Sequence, residues 1–222
     1  VINLVGTSFV KAQSVSKEQA SYSSAKELFD KGLFSAARIA FESHLENFPE
    51  KNTAGESSYY RAVSAVRLSQ KDAESLIQSY VQDYPNDSHA SSAYIELAEY
   101  YYDQKSYKKS ISFFEQSENP NFDNELINFK IGYAYFIENE HDKAVQLFSE
   151  IKKDTNLQND ASYFLGYILK EKSDFDNALV KLKQAFSSEE YSLEALKLYS
   201  IIQYEKGNYA SVIEVIEEKE PE

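Results

Sequence analysis

An internal period of 34 residues constrains this chain more than any other feature. The stretches YIELAEYY (94–101), NFKIGYAY (128–135), SYFLGYIL (162–169) and LKLYSIIQ (196–203) align without gaps, and their small residues Ala98, Gly132, Gly166 and Ser200 stand 34 positions apart. Twelve residues beyond each comes Ser110, Ala144, Ala178 or Val212, and four further on Phe114, Phe148, Leu182 or Ile216. Upstream, Ala25, Ala37 and Phe41 repeat the 12 and 4 spacing and are followed by Pro49. A further unit carries Ala62, Ala73, Ile77 and Pro85 and is one residue shorter in its first half. Self-similarity at a fixed period marks a stack of one supersecondary unit, in which each unit buries its apolar face against the next.

The spacing has a mechanical reading. A small residue in one helix and another in the next let two antiparallel helices approach closely, and the bulky residue one turn on fills the space beside them. Gly32, Lys105, Asn139, Ser173 and Gly207 stand between the helices, where a left-handed residue ends the first of them. The ring two residues later (Phe34, Tyr107, His141, Phe175, Tyr209) is expected to pack over the turn. With 42% apolar residues but only four prolines and six glycines, the composition fits an all-α chain and not a turn-rich β fold.

The motif L/I-G/A-x-x-Y/L, then Ala, then Phe/Leu, with FPE and YPN closing the first two units, resembles the tetratricopeptide repeat. The resemblance implies a right-handed α-solenoid over residues 14–222, with units near 18–51, 52–87, 91–124, 125–158, 159–192 and 193–222. It departs from the family's pattern in having no Trp, in losing proline at the later boundaries, and in carrying Ser110 and Val212 where Ala is usual.

By the same resemblance the first helices line a concave groove, and positions one and four after the small residue, and three before it, face it. Among the residues at or beside these positions are Tyr22, Phe29, Tyr59, Tyr102, Phe129, Tyr133, Phe136, Tyr163, Tyr167 and Tyr204. Rings offer large contact area at low entropic cost, and Tyr keeps a polar handle. The groove candidates for a partner segment are Tyr59, Tyr102, Phe129, Tyr133, Phe136, Tyr163, Tyr167 and Tyr204, strongest at Phe129, Tyr133 and Phe136, with acidity from Glu99, Asp103, Glu171 and Glu205. The alternative is that many of these rings only pack between helices. In the run Tyr100-Tyr101-Tyr102, Tyr101 is expected in the core with Phe114, Tyr102 in the groove, and Tyr100 against Ile77 and Tyr80. Related arrays that clamp an acidic chain terminus use Lys, Arg and Asn where this chain has Glu99, Tyr133 and Tyr167.

Charge and residue usage exclude other classes. A net charge of −13 repels phosphate backbones, so nucleic acid is not an expected partner. With no Cys there is no disulfide, thiolate nucleophile or zinc–thiolate site. His44, His89 and His141 fall in three different units without metal-ligand spacing, and are expected to be solvated or turn-packing. No phosphate-binding glycine loop or nucleophile elbow occurs. The expectation is a non-enzymatic protein with no cofactor.

The opening stretch VINLVGTSFVKAQS is apolar, and Val10-Lys11-Ala12 suits signal-peptidase cleavage after Ala12; residues 1–13 are therefore expected to be a signal remnant or an apolar arm. The absence of Met reads as a chain lacking its encoded start. At the other end, Val215 and Ile216 are expected to form an apolar end face that further repeats would cover, and that self-associates weakly when bare. The passage FPE…YPNDSHASSAYIELAEYYY resembles periplasmic arrays of the Gram-negative envelope, of the outer-membrane assembly and Tol–Pal-associated kind. This implies a soluble periplasmic scaffold with envelope-protein partners and no membrane span. Glycan or peptide capture, or an interaction domain attached to an enzyme beyond residue 222, are the alternatives.

Overall fold

The computed structural model describes residues 17–50, 52–117 and 125–219. The stretch 1–13 and the terminal Glu222 lie outside these residues. The described residues form helices and no strand: an all-α helical repeat of tetratricopeptide-like pairs. Helix α1 (17–30) pairs with α2 (Phe34–Asn47), α3 (Ala54–Arg67) with α4 (Ala73–Asp83), and α5 (Ala90–Asp103) with α6 (Tyr107–Gln116). Then α7 (Glu125–Ile137) pairs with α8 (His141–Glu150), α9 (Thr155–Glu171) with α10 (Phe175–Ala185), and α11 (Ser192–Glu205) with α12 (Tyr209–Lys219). The chain divides into two compact units, Val1–Pro120 and Asn121–Glu222, each holding three pairs.

Every first helix ends in the same way. Gly32, Ser69, Lys105, Asn139, Ser173 and Gly207 have positive φ, between 53° and 77°. At each, the left-handed N–H bonds to the carbonyl three residues back and the next N–H to the carbonyl five back, as with Gly32 to Phe29 (2.8 Å) and Leu33 to Leu28 (2.9 Å). These bonds satisfy the orphan carbonyls of the helix end and hold Lys105, Asn139 and Ser173 in a conformation unfavourable to a Cβ. Ser69 belongs to this series as well, so the residue missing from the second unit falls after the turn and not within the first helix. The second helices α2 and α4 stop for another reason: Phe48 and Tyr84 precede proline, which disfavours helical backbone.

The small residues are buried as the spacing implies. Ala25 and Ala37, Ala62 and Ala73, and Ala98 and Ser110 are buried pairs, as are Gly132 with Ala144 and Gly166 with Ala178. Ser110 carries a hydroxyl into this contact without penalty, because its Oγ donates to the Ala98 carbonyl at 2.7 Å. The sixth pair differs. Ser200 and Val212 are only half-buried, and the buried residue on α12 is Val215, not Ile216, which is 40% exposed. Exposed apolar side chains there are Ile201, Ile213 and Ile216, so Val215 belongs to the core and not to an end face.

A second 34-residue series, at the start of the first helices, ties the third, fourth and fifth pairs to the loop that follows each. Ser91 Oγ donates to the Ser117 carbonyl at 2.8 Å. The Glu125 carboxylate accepts the N–H groups of Lys152 (2.7 Å), Lys153 (2.8 Å) and Asp154 (2.7 Å), which holds its pKa below the usual carboxylate range. Asn159 Nδ2 donates to the Ser187 carbonyl at 3.3 Å.

His44 is not solvated: it is fully buried among Tyr22, Phe41 and Phe48. Its Nε2 lies 2.8 Å from Thr53 Oγ1, which in turn donates to Glu18 at 3.0 Å. The hydroxyl proton therefore points at Glu18, and His44 must be the Nε2–H donor, with Nδ1 bare of any partner among the described residues. Burial lowers its pKa below the ordinary value, with Glu18 opposing. A depressed folded-state pKa means that the unfolded chain takes up the proton first as pH falls, so the stability contributed by neutral His44 is full above pH 6.5 and is lost below it. Denaturant midpoints are expected to drop between neutral pH and mildly acid pH, and His44→Gln, which keeps the donor, should flatten that part of the profile. An unchanged slope in the variant would remove His44 from this role.

Candidate partner-binding groove

Helices α7, α9 and α11, the first helices of three successive pairs, pack side by side in the C-terminal unit. Phe129, Tyr133 and Phe136 recur at i, i+4 and i+7 on α7, and Tyr163 and Tyr167 at i, i+4 on α9, which puts each set on one helix face. Asp154 fixes the start of α9 by accepting the N–H groups of Asn156 (3.0 Å) and Leu157 (3.1 Å). Between these faces opens a pocket of about 450 Å³ lined by Tyr133, Phe136, Tyr163, Phe164, Tyr167, Glu190, Tyr191 and Glu194.

Phe164 is its floor. It is 3% exposed and touches six rings: Phe129 (6.0 Å), Tyr133 (5.4 Å), Phe136 (5.1 Å), Phe148 (5.3 Å), Tyr163 (5.1 Å) and Tyr191 (4.9 Å). The walls are half-buried: Phe136 meets Tyr167 edge-on at 5.3 Å, and Tyr163 stacks on Tyr191 at 5.2 Å with an interplanar angle of 3°. His141 stacks behind Phe136 at 5.7 Å, over the turn as its position implies.

Tyr191 is held from behind. Ser188 Oγ donates to Asp160 at 2.5 Å and accepts the N–H groups of Tyr191 (2.7 Å) and Glu190 (3.2 Å). Asp160 on α9 thus anchors the connection that delivers Tyr191 and Glu190 to the pocket. Burial raises the Asp160 pKa, the Ser188 hydrogen bond opposes this, and Glu190, Glu189 and Asp154 add to the rise. Burial also raises the Tyr163 pKa, helped by Glu194 and Tyr167; it raises that of Tyr191 strongly, helped by its hydrogen bond to Glu190.

Of the eight groove residues expected from the sequence, Tyr133, Phe136, Tyr163 and Tyr167 converge on this pocket. Phe129 sits beneath it, on Phe148 (5.7 Å) and Phe164 (6.0 Å). Tyr204 is 65% exposed and packs edge-on against Tyr209, away from the lining. The other two lie in the N-terminal unit. Tyr59 is 8% exposed, wedged among Tyr60, Tyr80 and His89, and is core instead of groove surface. Tyr102 is half-buried and meets Tyr107 edge-on. Tyr101 stacks on Phe113 (5.5 Å, 10°), not on Phe114, because its hydroxyl reaches across to Glu74 on α4. Tyr100 meets Tyr101 edge-on.

Spacing missed Phe164, Glu190, Tyr191 and Glu194. Phe164 stands two residues before Gly166, where the other units have Ser23, Tyr60, Glu96, Lys130 and Leu198; the position varies too widely for the period to mark it. Glu190 and Tyr191 come from a connection between helices, where no periodicity operates.

Among the described residues no group of His, Asp and Glu is placed to hold a metal ion, and no helix is long and apolar enough to cross a membrane. The described residues define an all-α helical-repeat protein. No protein-family model matches the chain, and none of the curated proteins does. It is similar, at 20% identity and a TM-score of 0.46, to the crystal structure of a thermophilic TPR protein from Thermus thermophilus, over 84% of this chain and 99% of that one.

Proposed function

We propose that this chain is a non-enzymatic interaction scaffold that seats a segment of a partner protein in the aromatic pocket of its C-terminal unit. The observation that carries this reading is the convergence of rings from α7, α9 and the connection before α11 on one open volume of about 450 Å³, whose walls are half-buried and not sealed into the core. A pocket of rings with a few convergent polar groups is suited to anchoring a side chain and its neighbours. Panning random dodecapeptides against the full chain tests it. Recovered peptides should lose at least about tenfold in affinity when Phe136, Tyr163 and Tyr167 are all changed to Ala, an anchor loss of about 1.4 kcal/mol or more. Equal binding by this variant, with helicity retained, would return these rings to a packing role.

We propose further that the scaffold works in the periplasm, within an outer-membrane or envelope biogenesis complex. Support comes from the resemblance carried by FPE, YPN and the stretch around Ala98, and from the apolar run ahead of Gln13. Osmotic-shock fractionation of the native host is expected to release the protein with the periplasmic contents; recovery in the cytoplasmic fraction would overturn this placement.

A further inference from the structure

Resting on the scaffold reading, we infer that the pocket recognises a cationic side chain of the partner segment, an arginine held between tyrosine rings and paired with Glu190 and Glu194. Three observations bear on the chemistry. Six of the eight lining residues are aromatic, and the other two are the exposed carboxylates of Glu190 and Glu194. None of the eight is basic. The faces of tyrosine and phenylalanine rings carry negative potential and attract a cation placed over them, most strongly where water is partly excluded. Carboxylates beside such rings add an ionic partner that an apolar or acidic segment could not use.

The chain contains the same arrangement closed on itself. In the N-terminal unit, Lys109 Nζ sits 4.5 Å above the centroid of Tyr101, 3.2 Å from its hydroxyl and 3.3 Å from a Glu74 carboxylate oxygen. Ring, carboxylate and ammonium thus form a trio in which each member comes from the protein. The pocket in the C-terminal unit presents the first two members, rings and carboxylates, on an open surface.

Arginine fits better than lysine. A planar guanidinium can lie flat over a half-buried tyrosine face while its fork of N–H donors reaches a carboxylate, whereas an ammonium is a compact and strongly hydrated point charge. The volume exceeds that of one side chain, so residues flanking the arginine would contact Phe136 and Tyr167 at the other end.

Fluorescein-labelled, capped heptapeptides of the form Ala-Leu-Ala-X-Ala-Leu-Ala test this by anisotropy on the full chain. With X as arginine, affinity is expected to exceed that with citrulline, its neutral isostere, by at least tenfold. The double variant Glu190→Gln/Glu194→Gln should collapse the ratio of arginine to citrulline affinity towards one; both positions are exposed, and circular dichroism checks the fold. Equal affinity for arginine and citrulline overturns the inference. Tetramethylammonium chloride displacing the peptide at concentrations below the peptide's own Kd also overturns it, by assigning the pocket to a small quaternary amine. The panned dodecapeptides separate the two readings. Pocket-dependent binders without arginine or lysine enrichment would defeat the cationic reading and leave the scaffold standing, while no pocket-dependent binder at all would defeat both.

Discussion

Phe164→Ala is expected to destabilise the C-terminal unit by about 3–5 kcal/mol, the range for truncating a buried phenylalanine that its surroundings cannot replace. Phe164 is 3% exposed, and its six ring neighbours come from α7, α8, α9 and the connection before α11. No single element can move in to fill the void, because each ring is also held elsewhere: Phe129 by Phe148, Phe136 by Tyr167, and Tyr191 by Tyr163 and Ser188. Aromatic pairs add about 0.5–1.5 kcal/mol each beyond area burial, and several disappear together. Urea melts of the full chain followed by far-ultraviolet circular dichroism measure the loss. Phe164→Leu keeps most of the volume and should cost far less, while failing to restore the edge contacts that set the pocket walls. A loss below about 1 kcal/mol for Phe164→Ala, smaller than a single buried aliphatic truncation, would mean that the floor of the pocket is not packed as described.

Gly166→Leu is the second large effect, and it acts by overfilling. A Cβ at position 166 would lie 2.7 Å from Leu182 Cγ, 2.8 Å from its Cδ2 and 3.3 Å from the Ala178 carbonyl oxygen. The first two atoms belong to a branched side chain that is itself fully buried, and the third is backbone, so neither can withdraw without moving α10. Overpacking of this kind costs about 1–3 kcal/mol and more when the backbone must shift. At Gly132 the nearest atoms are ring carbons of Phe148 at 3.0 Å and 3.1 Å, a looser approach, so Gly132→Leu should cost less than Gly166→Leu. Adding Leu182→Ala to Gly166→Leu should recover part of the loss, since the second change opens the space the first one needs. The reverse ranking of the two glycines, or no recovery in the double variant, would show that α9 and α10 are not in the contact described.

The turns of this protein were legible in the order of its residues. Gly32, Lys105, Asn139, Ser173 and Gly207 are left-handed as their place in the period requires, because a helix end is set by hydrogen bonds among a few consecutive residues. Even Lys105, a poor residue for that conformation, is held there by its neighbours in sequence. The buried small-residue contacts of the first five pairs follow from the same period, since two helices joined by a short turn have only one face to offer each other.

Tertiary structure decided the rest, and for one physical reason: what covers a side chain is contributed by elements distant in sequence. Tyr59 and Tyr204 stand three before and four after a small residue, both counted as groove positions by spacing. Tyr80 and His89 close over the first, and the second lies 65% exposed. Val215 rather than Ile216 enters the core because α12 has only α11 to pack against among the described contacts, and the rotation that buries one leaves the other outward. The pocket itself needed the Asp160–Ser188 hydrogen bond to bring Tyr191 face to face with Tyr163. A period of 34 residues tells each ring which helix face it occupies. It carries no information about a non-repeating connection, whose residues are placed by long-range hydrogen bonds and ring stacking.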